Sequence, residues 1–130
     1  MPLYHGSCHC GAIRFEIAAE IKELTQCDCS LCRKKNALMC AVHESAFKLQ
    51  QGESALSLYQ WNTRIARHYF CNVCGIYTFH RKRSMPDHYG VNVRCLDDFD
   101  PATAHVRQAE GKSMSVVDAD ARPEWKGPRA

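Results

Sequence analysis

Apolar and polar residues alternate without a break from Ala12 to Ala18, with Ile13, Phe15 and Ile17 on one side and Arg14 and Glu16 on the other. A period of two over this length predicts a strand with one buried face. Apolar stretches from Ala37 to His43 and from Ile76 to His80 read as further strands, as do Phe47-Lys48-Leu49 and the run Leu56 to Trp61. Gln51-Gly52 and Asn62-Thr63 have the composition of turns. The segment Ile65 to Phe70 then forms the second arm of a hairpin that delivers Cys71. A last long alternation, His88 to Cys95, puts Tyr89, Val91, Val93 and Cys95 on one side; an acidic turn from Leu96 to Pro101 and a strand from Ala104 to Gln108 follow. Only Arg33-Lys34-Lys35 suggests a helical turn, and no helical period persists over several turns. The pattern is that of a mainly β, single-domain protein. Residues 1–118 are assigned to the domain and 119–130, rich in Pro, Gly and charge, to an extended tail.

Cysteine changes this picture. Seven of the nine cysteines fall in three clusters: Cys8-His9-Cys10-Gly11, Cys27-Asp28-Cys29-Ser30-Leu31-Cys32 and Cys71-Asn72-Val73-Cys74-Gly75. Thiols so close in sequence bridge poorly to one another but converge readily on one ion, and tetrahedral zinc takes four such donors. Seven donors complete one site and leave three over, and three protein ligands with an open fourth position describe a zinc that does chemistry. Gly11 and Gly75 can take φ > 0, which turns the chain so that backbone N–H groups face the sulfurs. Cys40 and Cys95 stand apart and read as small core residues.

The local trio Cys27, Cys29 and Cys32 can close on one ion without long-range help. Cys8, Cys10, Cys71 and Cys74 would then form a second, structural site, joining the first strand to the hairpin some sixty residues later. Composition does not fix that pairing. The trio could equally be a second structural site completed by Cys40, Cys95, His43, His68 or His88. Three thiolates on Zn²⁺ carry net negative charge. That suits the ion to holding a fourth thiol as thiolate, the nucleophilic form. Arg33, Lys34 and Lys35 either attract an anionic thiol to that ion or simply cap the turn.

Length, charge and hydropathy set the outer bounds. A chain of 130 residues with 45% hydrophobic residues and a mean hydropathy of −0.40 fits a soluble domain with its own core. No apolar run approaches a membrane span, and the N-terminal residues do not read as a secretory signal. A reducing cytoplasm is therefore expected, where clustered thiols serve metals rather than disulfides. A formal charge of +3 is too mild to argue for nucleic acid.

Three segments together resemble the glutathione-dependent formaldehyde-activating enzyme family, also called the GFA or centromere protein V family. They are Gly6-Ser7-Cys8-His9-Cys10-Gly11-Ala12-Ile13-Arg14-Phe15-Glu16, Cys27-Asp28-Cys29-Ser30-Leu31-Cys32-Arg33-Lys34 and Phe70-Cys71-Asn72-Val73-Cys74-Gly75. Val91 to Asp98 is similar to the family's late strand and turn. The resemblance implies an antiparallel zinc β fold shared with methionine sulfoxide reductase B. It implies a structural zinc on Cys8, Cys10, Cys71 and Cys74 and a catalytic zinc on Cys27, Cys29 and Cys32; from their charge beside that trio, Arg33 and Lys34 are expected to bind the glutathione-like thiol. The implied activity is carbon–sulfur lyase chemistry, the reversible addition of that thiol to a small aldehyde such as formaldehyde. A competing expectation is a non-catalytic, zinc-stabilised module that binds an acidic partner or nucleic acid through Arg81-Lys82-Arg83. A third makes Cys95 a redox nucleophile.

Overall fold

Eleven short segments build two β layers over one core. A computed structural model describes residues 2–27, 30–60 and 64–109. Along the chain come β1 (Leu3–Ser7), β2 (Arg14–Ala18), β3 (Glu23–Cys27), helix α1 (Ser30–Lys35), β4 (Met39–His43) and β5 (Phe47–Gln51). Then come β6 (Leu56–Tyr59), β7 (Arg67–Cys71), β8 (Tyr77–Arg81), β9 (His88–Asn92) and β10 (His105–Ala109). The smaller sheet has the order β1-β2-β5 and the larger β10-β3-β4-β9-β8-β7-β6. All pairings are antiparallel except that of β10 with β3.

The alternation in the first cluster's strand holds as read. Ile13, Phe15 and Ile17 are fully buried, and the polar residues between them face outward. Phe15 stacks on Phe47 of β5, with centroids 5.4 Å apart, and meets Phe79 of β8 edge-on at 5.7 Å. Phe47 and Phe79 also touch, at 4.6 Å, so three rings from both sheets lock the layers together. Leu24, Val42, Val91 and Val93 complete the core.

Three sequence readings need correction or addition. The alternation from His88 to Cys95 is not one strand: β9 ends at Asn92, and Val93–Cys95 forms a 3-10 turn. Met39 opposite Asn92 is the last partner that β4 supplies, and the Asn92 side chain accepts the Arg94 N–H at 3.2 Å, which closes the turn. Strands β1 and β3 carry no strong alternation. β1 forms by register with β2, from Leu3 opposite Ala18 to Ser7 opposite Arg14. β3 buries only Leu24 and runs parallel to β10 through a chain partner some eighty residues away. The Asn62-Thr63 turn, Trp61 and the 119–130 tail lie outside the described residues.

Gly6 lies opposite Phe15 in the smaller sheet, and a Cβ there would fall 2.3 Å from Phe15 Cζ. Phe15 is pinned between Phe47 and Phe79 and cannot yield. Gly6→Ala should therefore destabilise the fold by about 1–3 kcal/mol, as overpacking does. The expected reading is a lower urea midpoint with unchanged slope.

Candidate functional site

Two hairpin knuckles bring four sulfurs together. Cys8 and Cys10 follow β1, while Cys71 ends β7, in the other sheet, and Cys74 lies just beyond it. At both turns the glycine predicted to bend the chain does so, with φ of 81° at Gly11 and 79° at Gly75. The Ile13 N–H donates to Cys8 Sγ at 3.3 Å, and the Val73 and Cys74 N–H groups donate to Cys71 Sγ at 3.3 and 3.4 Å. The segment between β5 and β6 braces both knuckles. Gln51 Nε2 donates to the Gly11 carbonyl at 3.2 Å, and Asn72 bonds back to the carbonyls of Ser54 and Ala55.

The four sulfurs lie within 4.8 Å of one another. Cys8 and Cys10 are 3.6 Å apart, and Cys10 and Cys71 3.7 Å. An ion about 2.3 Å from each sulfur of a tetrahedron gives edges of about 3.8 Å, so the cluster already has the size of a four-thiolate site. Its proton chemistry agrees. The amides of Cys10 and Ile76 hold the Cys74 thiol down at about 6. Burial pushes Cys8 up, but the Ile13 amide and neighbouring sulfurs outweigh it and its pKa is lowered. At Cys10 the Ala12 amide pulls down, while burial and the three crowding sulfurs push the thiol up to about 11. Packed thiols cannot all ionise against one another, and a divalent cation at their centre removes that conflict. These residues could hold a metal ion. His9 is exposed beside them, as expected.

The second cluster is placed in part. Cys27 ends β3 and Cys32 lies in α1; Cys29 lies outside the described residues. Cys27 and Cys32 together line two adjoining cavities. The larger, about 310 Å³, has walls of Ala37, Met39, Cys40, Ala41 and Ala109, with Lys35, Tyr77, His80, Lys82 and Arg107 as its polar groups. The smaller, about 250 Å³, is more open and is edged by Gln26, Arg33, Asn36 and Gln108. Helix α1 therefore sorts its basic residues: Lys35 lines the larger cavity, Arg33 the smaller, and Lys34 is exposed and lines neither.

Sequence reasoning passed over the polar network behind the larger cavity. Lys35 Nζ donates to His68 Nδ1 at 2.7 Å and sits 3.6 Å above the Tyr77 ring. Tyr77 shares a 2.6 Å hydrogen bond with His80 Nδ1, and the rings of His68 and His80 stack at 4.9 Å. His80 sits opposite Gly90 on β9, where a Cβ would fall 2.3 Å from the imidazole, so a glycine there makes the ring's seat. Burial, with Lys35 nearby, depresses His68 to about 2. Burial together with Lys35 and Lys82 depresses His80 to about 3, against an opposing pull from Cys27. Both imidazoles are neutral at physiological pH. Because an ammonium can only donate, Nδ1 of His68 accepts and its proton lies on Nε2, whereas the Tyr77 hydroxyl can pair with His80 in either tautomer. Four residues from α1, β7 and β8 meet here, and no local spacing announces them.

The other residues named from sequence stand elsewhere. His43 and His88 share Asp87 at the surface, at 3.5 and 2.8 Å. Cys95 is core: burial pushes its thiol up to about 12, and its S–H donates to the Tyr77 carbonyl at 3.4 Å. Cys40, likewise raised to about 12 by burial, shows one side to the larger cavity. Of the basic run, Arg81 is held by Glu44 at 2.6 Å and stacks on Tyr89, and Lys82 faces the cavity, so the run does not present a cationic face as a unit. No helix among the described residues is long and apolar enough to cross a membrane.

Comparison with known proteins agrees with this geometry. The sequence profile described as "Glutathione-dependent formaldehyde-activating enzyme" matches residues 3–111. A crystal structure of a Rhodobacter sphaeroides protein superposes with a TM-score of 0.73 at 39% sequence identity, covering 79% of this chain and 99% of that one.

Two outcomes are expected. Cys71→Ser should remove one equivalent of metal per chain and lower the melting temperature, while Cys95→Ser should leave the metal content unchanged; elemental analysis of the purified variants reads both. The second concerns His68, whose depressed pKa means that the unfolded chain binds more protons than the folded one below about pH 6.5. Stability should thus fall with pH from that point, by up to about 1.4 kcal/mol per pH unit for this group. His68→Gln lacks the slope, so the stability difference between wild type and variant should shrink from pH 7 to pH 5.5. A difference that stays constant would contradict it.

Proposed function

The chain belongs to the glutathione-dependent formaldehyde-activating enzyme family, and from that premise we propose that it is a zinc-dependent carbon–sulfur lyase. It would join a glutathione-like thiol reversibly to a small aldehyde. The observation that carries this reading is that Cys27 and Cys32, apart from the four-sulfur cluster, both line each of two cavities. A two-substrate addition needs such a meeting point.

Cys8, Cys10, Cys71 and Cys74 would hold a structural zinc whose binding contributes directly to folding. Cys27, Cys29 and Cys32 would hold a second zinc, leaving one coordination position for the substrate sulfur. Zinc bound there would supply deprotonation of a coordinating thiol at neutral pH. The remaining work falls to the chain. In the addition, the S–C bond forms, the carbonyl π pair moves to oxygen, and the proton released from the thiol ends on that oxygen. His80, neutral and anchored by Tyr77, is too weak a base to take a proton at pH 7; with Nδ1 accepting the Tyr77 O–H, its Nε2–H would serve instead as a donor to an oxygen in the cavity. Lys35, held over Tyr77, adds positive potential where negative charge develops. Arg33, and Lys34 at longer range, would attract the carboxylates of the thiol. These thiolates require a reducing compartment, which favours the cytoplasm.

The test combines composition and turnover. Two zinc ions per chain are expected in the wild type and one in Cys29→Ser. Turnover of S-hydroxymethylglutathione should collapse to the uncatalysed rate in that variant, with the melting temperature little changed. Undiminished turnover would overturn the assignment.

A further inference from the structure

The larger cavity is oversized for a one-carbon aldehyde. At roughly 30 Å³ per water, its 310 Å³ has room for about ten water-sized groups, whereas formaldehyde is little bigger than one. Its lining is also lopsided in charge: among the described residues it contains Lys35, Lys82 and Arg107 but no aspartate or glutamate. Two of those three cations are already engaged. Lys35 contacts His68 and Tyr77, and Arg107 Nε donates to Glu23 at 3.1 Å on the neighbouring strand. Lys82 differs. It is half-buried, and among the described residues neither a carboxylate nor any other acceptor takes a bond from its ammonium. Burial first, and Arg107 next, lower its pKa, the cost of a partly desolvated cation without a counter-charge. A cation kept in an enclosed cavity under those terms is matched by an anion that arrives with a ligand.

The two cavities differ in the partner they suit. The smaller offers the amides of Gln26, Asn36 and Gln108 and the guanidinium of Arg33, groups that pair with a peptide backbone and its carboxylates. The larger combines an aliphatic wall with a half-buried cation, which suits a short carbon chain ending in a carboxylate.

We propose that the larger cavity is a carboxylate-binding subsite in which Lys82 receives the acid group of the carbonyl substrate, making that substrate an aldehyde acid, while the thiol lies along the smaller cavity. This rests on the lyase reading of the site. The addition is the same: sulfur bonds to the aldehyde carbon, the proton goes to the carbonyl oxygen, and the carboxylate takes no part in bond changes.

The experiment uses the zinc-loaded full chain, with malonate as an unreactive probe of the acid group and S-methylglutathione as a probe of the thiol partner. Calorimetric titration should show saturable malonate binding. Lys82→Met should weaken it by about tenfold or more, the loss of one charge-assisted bond, with S-methylglutathione changed by less than about twofold and Lys82→Arg restoring malonate affinity. In turnover with glutathione, glyoxylate should have a higher kcat/KM than formaldehyde in the wild type and lose that preference in Lys82→Met. Malonate affinity indifferent to Lys82 in a folded variant would overturn the proposal. So would a tenfold loss of S-methylglutathione affinity, which would make the thiol the source of the bound carboxylate. Lys82-dependent malonate binding with no turnover of either aldehyde would support the subsite while overturning the lyase reading alone.

Discussion

The structure depends on four sulfurs from two sheets meeting at one point. Cys10 and Cys71 are 61 residues apart in sequence and 3.7 Å apart in space. Closing a loop of that length is entropically unfavourable, and crowding four ionisable thiols adds repulsion. Backbone amides directed at Cys8 and Cys71 offset part of this, and a divalent cation would offset the rest. The knuckles are therefore more than metal ligands. They fix the edge at which the three-stranded layer joins the seven-stranded one, and with it the stack of Phe15, Phe47 and Phe79 inside.

The wall of the larger cavity is organised by a polar network rather than by sulfur. Lys35, His68, Tyr77 and His80 satisfy one another in a region of low dielectric, and no buried side-chain nitrogen or oxygen among the described residues lacks a partner. Such a network is rigid because breaking any bond leaves a desolvated group. It holds both imidazoles neutral and keeps the cavity wall fixed beside Cys27 and Cys32. Gly90 has a part in this: its missing side chain is the space His80 occupies.

The two halves explain how one small fold can support a two-substrate reaction. The clamp fixes the strands, the strands fix the network, and between β3, α1 and β10 two cavities of different character share a pair of thiols. Lys82, whose ammonium no carboxylate among the described residues meets, lies in the more enclosed of the two. A lone half-buried cation is destabilising by itself, which is why it points to a ligand rather than to the fold.

The sequence by itself determined the class of fold and marked the cysteine knuckles, while which knuckles pair was implied by the family resemblance and seen only in the structure. Alternation around Ile13, Phe15 and Ile17 marks a half-buried strand because side chains on extended backbone change face at every residue. Cys-x-Cys-Gly and Cys-x-x-Cys-Gly mark metal knuckles because ligand chemistry and the bend are both local. Only the tertiary structure decided the rest. β1 and β3 exist through their partners, since Leu3 to Ser7 and Glu23 to Cys27 carry too little pattern to stand alone. The end of β9 at Asn92 was set by where β4 stops and by a side-chain cap, neither visible in an alternation that continues to Cys95. The cavity network was hidden for the same reason. Lys35, His68, Tyr77 and His80 come from three elements and Lys82 from the turn after β8, and residues brought together by sheet register leave no spacing in the chain to read.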